Sequence, residues 1–310
     1  MRAEPEPKPF LYVHIPHTHP VKKRAPNHDR FEANTLTGKL TLQFEVMSEY
    51  LFVGSGGYDY RDDMVFYSFA SSHDELVIPG TSIKGAVRSL VEAISSSCVS
   101  IRIREERVPR PWQQCVEVKM LCPACRLFGI AGRESYSGRV SFTDGEVQTF
   151  VGLELVKVGE LHRPKPGRGD ARKFYAERRF TPPSDMRPER DYRFVEAVKQ
   201  GSVFVTTLKF GNLAPEELSL LLHALGIPQP HAVKIGGVKP RGFGSVRFAA
   251  TRLTALHDPF SEPERKEGNE VDQFIEEVCR ATDLVQPDLL QTYQQQMAGE
   301  ADQPAPRRLY

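Results

Sequence analysis

The chain has 310 residues, is 40% hydrophobic and carries a formal net charge of +1. That is enough for one large or two small domains with a real core, and no apolar run approaches the ~20 residues that span a bilayer, which speaks against a membrane protein. The near-neutral balance hides a division: Asp258 to Asp302 holds 12 acidic residues against three basic, leaving residues 1–257 with 36 Lys/Arg and 28 Asp/Glu. A basic body is compatible with a polyanion partner without establishing one.

In chain order, residues 1–36 are rich in proline and histidine and read as an irregular arm or covering segment. The opening MRAEPEPKPF has no apolar signal segment, so a cytoplasmic protein is expected. His14, His17 and His19 lie in a proline-punctuated stretch without a fixed face, which argues against metal ligation by them. Thr37 to Val46 alternates Leu40, Leu42, Phe44 and Val46 with polar residues and predicts a first strand. Gly54 to Asp63 reads as a flexible turn with three carboxylates, Asp59, Asp62 and Asp63. A helix follows from Thr81 to about Ser97, capped by Thr81 or Ser82, with Ile83, Val87, Leu90, Val91 and Ile94 on one face. Lys84 and Arg88 share another face, and a helix start followed by two cations suits a phosphate.

Residues 98–136 hold four of the five cysteines and no long periodic element. Gly138–Val147 predicts a second strand, residues 148–200 a long basic insertion, and Ser202–Phe210 a third strand. A helix from Asn212 or Ala214 through Leu225 and a fourth strand at Gly244–Leu253 complete the core. Beyond residue 258 the chain reads as an acidic extension with one helix (Val271–Thr282) and a mobile Gln/Pro-rich end. The order strand, helix, strand, strand, helix, strand predicts an α+β fold of ferredoxin-like or RNA-recognition type, with its core over residues 37–257 and large insertions.

Two further stretches carry chemistry. Lys234 to Ser245 has four glycines in nine residues (Gly236, Gly237, Gly242, Gly244) with Lys234, Lys239 and Arg241 and no acid, a loop fit for close approach to a polyanion. Cys122-Pro-Ala-Cys125, with Cys115 seven residues earlier, has zinc spacing; the fourth ligand is Cys98, His73 or His162. Cysteines clustered in this way, without a secretion signal, point to structural zinc before disulfides.

The stretch with Gly54, then IPGTSIKGAVRS, LCPACRLFG, GRVSFTDGE and KIGGVKPRGFGSVRF, resembles the ordered motifs of the RAMP superfamily, and more narrowly the backbone subunits of type III CRISPR effector complexes. The resemblance implies a modified RNA-recognition fold that stacks with other RAMP subunits and holds guide crRNA by its backbone against complementary target RNA. It puts Ser82, Lys84 and Arg88 on guide phosphates, with Gly236, Gly237, Lys239, Arg241, Gly242 and Gly244 along the same RNA. The basic insertion corresponds to the family's thumb hairpin, with Phe174 and Tyr175 as apolar wedges. In target-cleaving members an aspartate lies about 15 residues before the IPG motif, which matches Asp63, with Asp62 and Asp59 as near alternatives; a carboxylate there can hold Mg²⁺ or support 2′-OH attack. Met64 and Val65 follow where the family pattern has a proline. Three functions follow: a guide-binding subunit that cuts target RNA, the same subunit without catalysis, or an endoribonuclease processing guide precursors with His28 or His73.

Overall fold

Alternation builds the centre of the molecule. In a computed structural model, which describes residues 8–61, 64–99, 108–161, 169–183, 185–258 and 260–306, Leu40, Leu42, Phe44 and Val46 all turn inward from one strand. Successive side chains of a strand point to opposite faces, so this spacing yields a single buried face.

Along the chain, β1 (Phe10–His14), β2 (Leu36–Val46), β3 (Tyr50–Leu51), β4 (Gly54–Arg61), β5 (Met64–Phe69), β6 (Ser71–Ser72) and β7 (Glu75–Ile78) lead into helix α1 (Gly80–Ile94). After the short α2 (Pro123–Phe128) come β8 (Gly129–Ile130), β9 (Tyr136–Ser137), β10 (Val140–Phe142) and β11 (Gly145–Thr149). The insertion contributes β12 (Leu153–Gly159), β13 (Ala171–Tyr175) and β14 (Tyr192–Lys199), followed by β15 (Val203–Leu213) and α3 (Pro215–Ala224). The chain continues through β16 (Val233–Lys234), β17 (Ser245–Leu256), β18 (Glu264–Glu267), α4 (Asn269–Val278) and α5 (Pro287–Ala298).

The central strands of the main sheet run β17-β2-β15-β11, each antiparallel to its neighbour. Counted by place in the β-α-β-β-α-β order, that is fourth, first, third, second, the split βαβ arrangement. Gly138–Val147 forms two strands rather than one, because Thr143 and Asp144 turn to other partners between them. Thr143 Oγ1 accepts the Thr207 N–H at 2.9 Å, and the Asp144 carboxylate accepts the Gly80 N–H at 2.8 Å. Neither Thr81 nor Ser82 therefore caps α1: Pro79 precedes it without a side-chain cap, and Asp144 serves its first N–H instead. The glycine of the IPG motif is dictated by packing, since a Cβ on Gly80 would lie 2.2 Å from the Phe142 carbonyl.

Behind the sheet, α1 buries Ile83, Val87, Leu90, Val91 and Ile94 and packs on α3. The two ends of the motif region are tied together by a buried triad. Glu217 of α3 takes Arg126 Nε at 2.8 Å and Arg139 Nη2 at 2.6 Å, and the two guanidiniums hold its carboxyl below the usual range against the cost of burial.

A second sheet, ordered β12-β14-β5-β4 with β3 on β14, revises two expectations. Gly54–Arg61 is a strand, not a flexible turn, and the insertion is knitted through the parallel β14–β5 pair to the β4–β5 hairpin. The arm is likewise used: β1 pairs antiparallel with β13, and Lys23 exchanges backbone hydrogen bonds with Leu121 at 3.0 and 2.9 Å.

The Gln-rich end is a packed helix rather than a mobile tail. Leu290, Tyr293 and Met297 of α5, spaced three and four apart, form one buried face that the intervening glutamines mask in the sequence. The Tyr293 hydroxyl donates to the Ala232 carbonyl at 2.9 Å. Tyr293→Ala should cost about 3 kcal/mol or more of unfolding free energy in a denaturant titration. A cost below about 0.5 kcal/mol, the range of an ordinary surface change, would mean that α5 is not held.

Candidate functional site

Two features of the motif region carry chemistry: a sulfur cluster inside and a loop–hairpin junction at the surface. The cluster forms where the segment after α1 meets α2. Cys98, Cys115, Cys122 and Cys125 are all buried, with every sulfur within 4.8 Å of the others. Cys98 Sγ lies 3.5 Å from both Cys122 Sγ and Cys125 Sγ. A tetrahedral Zn²⁺ with Zn–S of about 2.3 Å sets sulfurs about 3.8 Å apart, so the donor set fits such an ion. Backbone N–H groups already point at two sulfurs: Cys98 at Cys122 Sγ and Cys122 at Cys115 Sγ, each at 3.4 Å. The Cys122 thiol is held well below its usual range, foremost by the hydrogen bond from Cys115, while Cys98 and Cys125 are pushed up within the same set. The Cys115 thiol is lowered as well, and a bound cation would favour the thiolate at all four positions. Of the possible fourth ligands the geometry selects Cys98; His73 is exposed in the β6–β7 turn, and His162 lies outside the described residues.

Arg88 faces this cluster rather than solvent. Its Nε donates to Glu92 Oε1 at 2.9 Å, its Nη1 to the Gly129 carbonyl at 3.1 Å, and its Nη2 lies 3.7 Å from Cys125 Sγ. The placement of Arg88 at a phosphate is thereby corrected: an (i, i+4) carboxylate and the cysteine segment claim its guanidinium. Lys84 and Ser82 remain half-buried near the helix start, and Lys84 makes no ion pair among the described residues. Burial first, then Arg88, lowers the Lys84 ammonium.

The glycine-rich loop is docked on the chain itself. Gly237 N–H donates to the Phe52 carbonyl at 2.8 Å and Gly244 N–H to the Tyr50 carbonyl at 3.0 Å. Gly236, at φ 81°, would bring a Cβ within 2.1 Å of the Phe52 carbonyl, so this glycine serves the docking. Lys234 turns inward onto the Gly242 and Phe243 carbonyls at 3.1 Å, and burial pulls its ammonium down to about 7. Arg241 is also inside, 2% exposed, donating to the carbonyls of Gly159, Glu160 and Pro306. Its expected place on RNA is therefore corrected, because three backbone acceptors take the guanidinium. Lys239 is half-buried, and burial lowers its ammonium to about 8.

Tyr50–Val53, which receive this loop, lead directly into the β4–β5 hairpin. Asp59 is exposed on β4, and its Oδ1 accepts the Tyr60 N–H at 2.8 Å. Asp62 and Asp63 fall between β4 and β5, outside the described residues. Among the described residues Asp59 is gathered with no second carboxylate or imidazole into a metal-holding group. The hairpin's other content escaped the sequence reading. Tyr58 pairs across to Tyr67 and Tyr60 to Val65, so these four share one face, with Tyr58 75% and Tyr60 77% exposed. The alternation of Tyr58 and Tyr60 was the available signal, hidden by the glycines before it.

Phe174 and Tyr175 are not exposed wedges. They lie half-buried in β13, where Phe174 meets Tyr293 edge-on at 5.2 Å between ring centroids. Pairing with the arm turns that strand inward.

The motifs that line these features can now be compared with known families. The sequence model of the RAMP superfamily matches residues 44–247, about two thirds of the chain. The chain belongs to the RAMP superfamily. That membership makes it a CRISPR-associated protein of an RNA-binding family whose members generally work in multi-subunit complexes. Among curated proteins none matches it significantly. The RAMP match runs from the end of β2 to the start of β17 and so spans the cysteine cluster, the β4–β5 hairpin and the glycine-rich loop. Among the described residues of this RAMP protein no helix is long and apolar enough to cross a membrane.

Proposed function

We propose that the chain is a guide RNA-binding backbone subunit of a type III CRISPR effector complex, stacked with other RAMP subunits along paired crRNA and target RNA. The observation that carries this reading is the junction at Tyr50–Val53, where the glycine-rich loop is hydrogen-bonded to the root of the β4–β5 hairpin. The loop that carries Lys239 and the hairpin that carries the exposed tyrosines then share this root. Tyrosine faces stack on unpaired bases irrespective of sequence, lysines meet phosphates, and pairing with the guide supplies the sequence readout. Zinc at the four cysteines holds the segment that backs α1. Cleavage of the target belongs to the carboxylates Asp63, Asp62 and Asp59, with Mg²⁺ as the ion.

The binding test separates lysines from arginines. Lys84→Ala and Lys239→Ala should each weaken different RNA sequences about equally and reduce the salt slope by roughly one unit. An approaching phosphate restores the charge that burial depresses at Lys239, since an opposite charge favours the ionised form. Arg88→Ala and Arg241→Ala should instead lower folding stability by about 1–3 kcal/mol, because their buried acceptors lose donors. A lysine variant that altered sequence preference at constant salt would overturn backbone reading. Arginine variants of parental stability would overturn their inward role.

A further inference from the structure

The inserted strand β13 brings to the cysteine cluster a cation that the cysteine segment does not supply. Arg172 is 3% exposed, and its Nη2 donates to the carbonyls of Ser97 at 2.8 Å and Cys98 at 3.2 Å. Among the described residues its Nε and Nη1 have no hydrogen-bond partner. Arg88, from α1, places Nη2 3.7 Å from Cys125 Sγ. Glu92, the carboxylate that acts on Arg172, has its Oε1 engaged by Arg88 at 2.9 Å. Arg88 and Glu92 pair with one another, while Arg172 makes no ion pair among the described residues, a surplus of buried positive charge that is strongly disfavoured. Four neutral thiols, or two disulfides, would leave that surplus standing. Four thiolates on a divalent cation carry two net negative charges and answer it.

We propose that Arg172 is the counter-charge of a metal–tetrathiolate centre, so that loading the metal fastens the insertion strand β13 to the cysteine segment. The inference rests on the zinc reading above and deepens it, by making the insertion part of the centre's surroundings. The strand so fastened also holds the arm: β13 pairs residue by residue with β1, from Ala171 opposite His14 to Tyr175 opposite Phe10. Removing the metal would leave Arg172 buried beside partly protonated sulfurs, and β13 with its paired arm would be the first elements to loosen. Groups around a metal's ligands tune both its affinity and the reactivity of the ligands. A cation beside thiolate sulfur withdraws electron density and slows its reaction with electrophiles.

The test begins with the metal content of the purified full-length parent, then compares Arg172→Met and Arg172→Lys in chelator competition for Zn²⁺. Arg172→Met should bind Zn²⁺ about 10–100-fold more weakly, and Arg172→Lys within about threefold of the parent. In zinc-loaded protein, Arg172→Met should also raise the rate at which iodoacetamide modifies the four cluster cysteines relative to Cys279. Cys279 lies outside the cluster and reports general loosening, which a merely structural role for Arg172 would produce at all five positions. A parent without zinc overturns the zinc reading and this inference with it. A loaded parent whose Arg172→Met variant keeps parental affinity and parental alkylation overturns this inference alone. If Arg172→Met does not fold, Arg172→Lys decides: a folded lysine variant that loses zinc as fully as Cys122→Ser refutes the counter-charge role, and one that keeps it supports the role.

Discussion

Asp63→Ala should abolish cleavage of complementary RNA, by about 10²-fold or more, while leaving guide binding intact. The sign of the second half follows from charge: a carboxylate does not attract a phosphate backbone and can only oppose it. The first half follows from position, since residues 62 and 63 join β4 to β5, and that hairpin rises from the segment on which the glycine-rich loop is docked. On the proposed reading the hairpin and the loop docked at its root serve the same RNA. The measurement is an assembled complex with labelled target RNA, comparing Asp63→Ala, Asp62→Ala and Asp59→Ala, with Mg²⁺ and with chelator. If all three variants cut like the parent, the subunit is a scaffold. If only Asp62→Ala is inactive, the site stands and the residue shifts by one.

Zinc should be present at about one equivalent per chain and be lost in Cys122→Ser. Because an assembled tetrathiolate site does not persist in an unfolded segment, the ion's binding free energy is also folding free energy. The protein carries its own reporter: the single tryptophan, Trp112, lies in the cysteine segment, buried, with its ring edge-on to His19 at 4.9 Å. Chelation should red-shift its emission as the segment loosens and should expose the arm around Lys23, held to Leu121, to protease. Emission and cleavage unchanged after complete removal of the metal would show that the segment folds without it. Less than about half an equivalent in carefully prepared parent protein would refute the zinc site itself.

The parts of this molecule that the sequence displays are those whose order is local. Leu40, Leu42, Phe44 and Val46 announce a half-buried strand because burial repeats every second residue, and the face of α1 announces itself every third or fourth. The spacing of Cys115, Cys122 and Cys125 was informative for the same reason, yet the choice of Cys98 over a histidine needed the fold to bring the end of α1 beside α2. Charge was legible in amount but not in direction. Arg88 and Arg241 look like surface cations until Glu92, Gly129, Gly159 and Pro306 are seen around them, and all but Glu92 come from distant parts of the chain. The β4–β5 hairpin stayed hidden because Tyr58, Tyr60, Val65 and Tyr67 face outward while Phe66 and Phe69 face inward, which blurs the alternation by which strands are found. Tyr58 and Tyr60 lie on the solvent side of that hairpin rather than in the core.

The way the acidic extension returns to the body has a consequence for how the glycine-rich loop opens. Residues 303–305 lie along Arg179, with Arg179 N–H on the Gln303 carbonyl at 2.9 Å and Ala305 N–H on the Arg179 carbonyl at 2.7 Å. The next residue, Pro306, gives its carbonyl to Arg241 of the loop, and Glu300 holds Arg178 through Nε at 2.7 Å. Gly242 in turn is packed so closely on the Arg178 carbonyl that a Cβ would lie 2.4 Å away. The extension, the 178–180 segment and the loop thus share their hydrogen bonds and open as one cooperative unit, so amide exchange in the loop is set by how firmly the extension is seated. Exchange measured at the loop and at the extension, more than fifty residues apart, should therefore rise together when the extension is unseated.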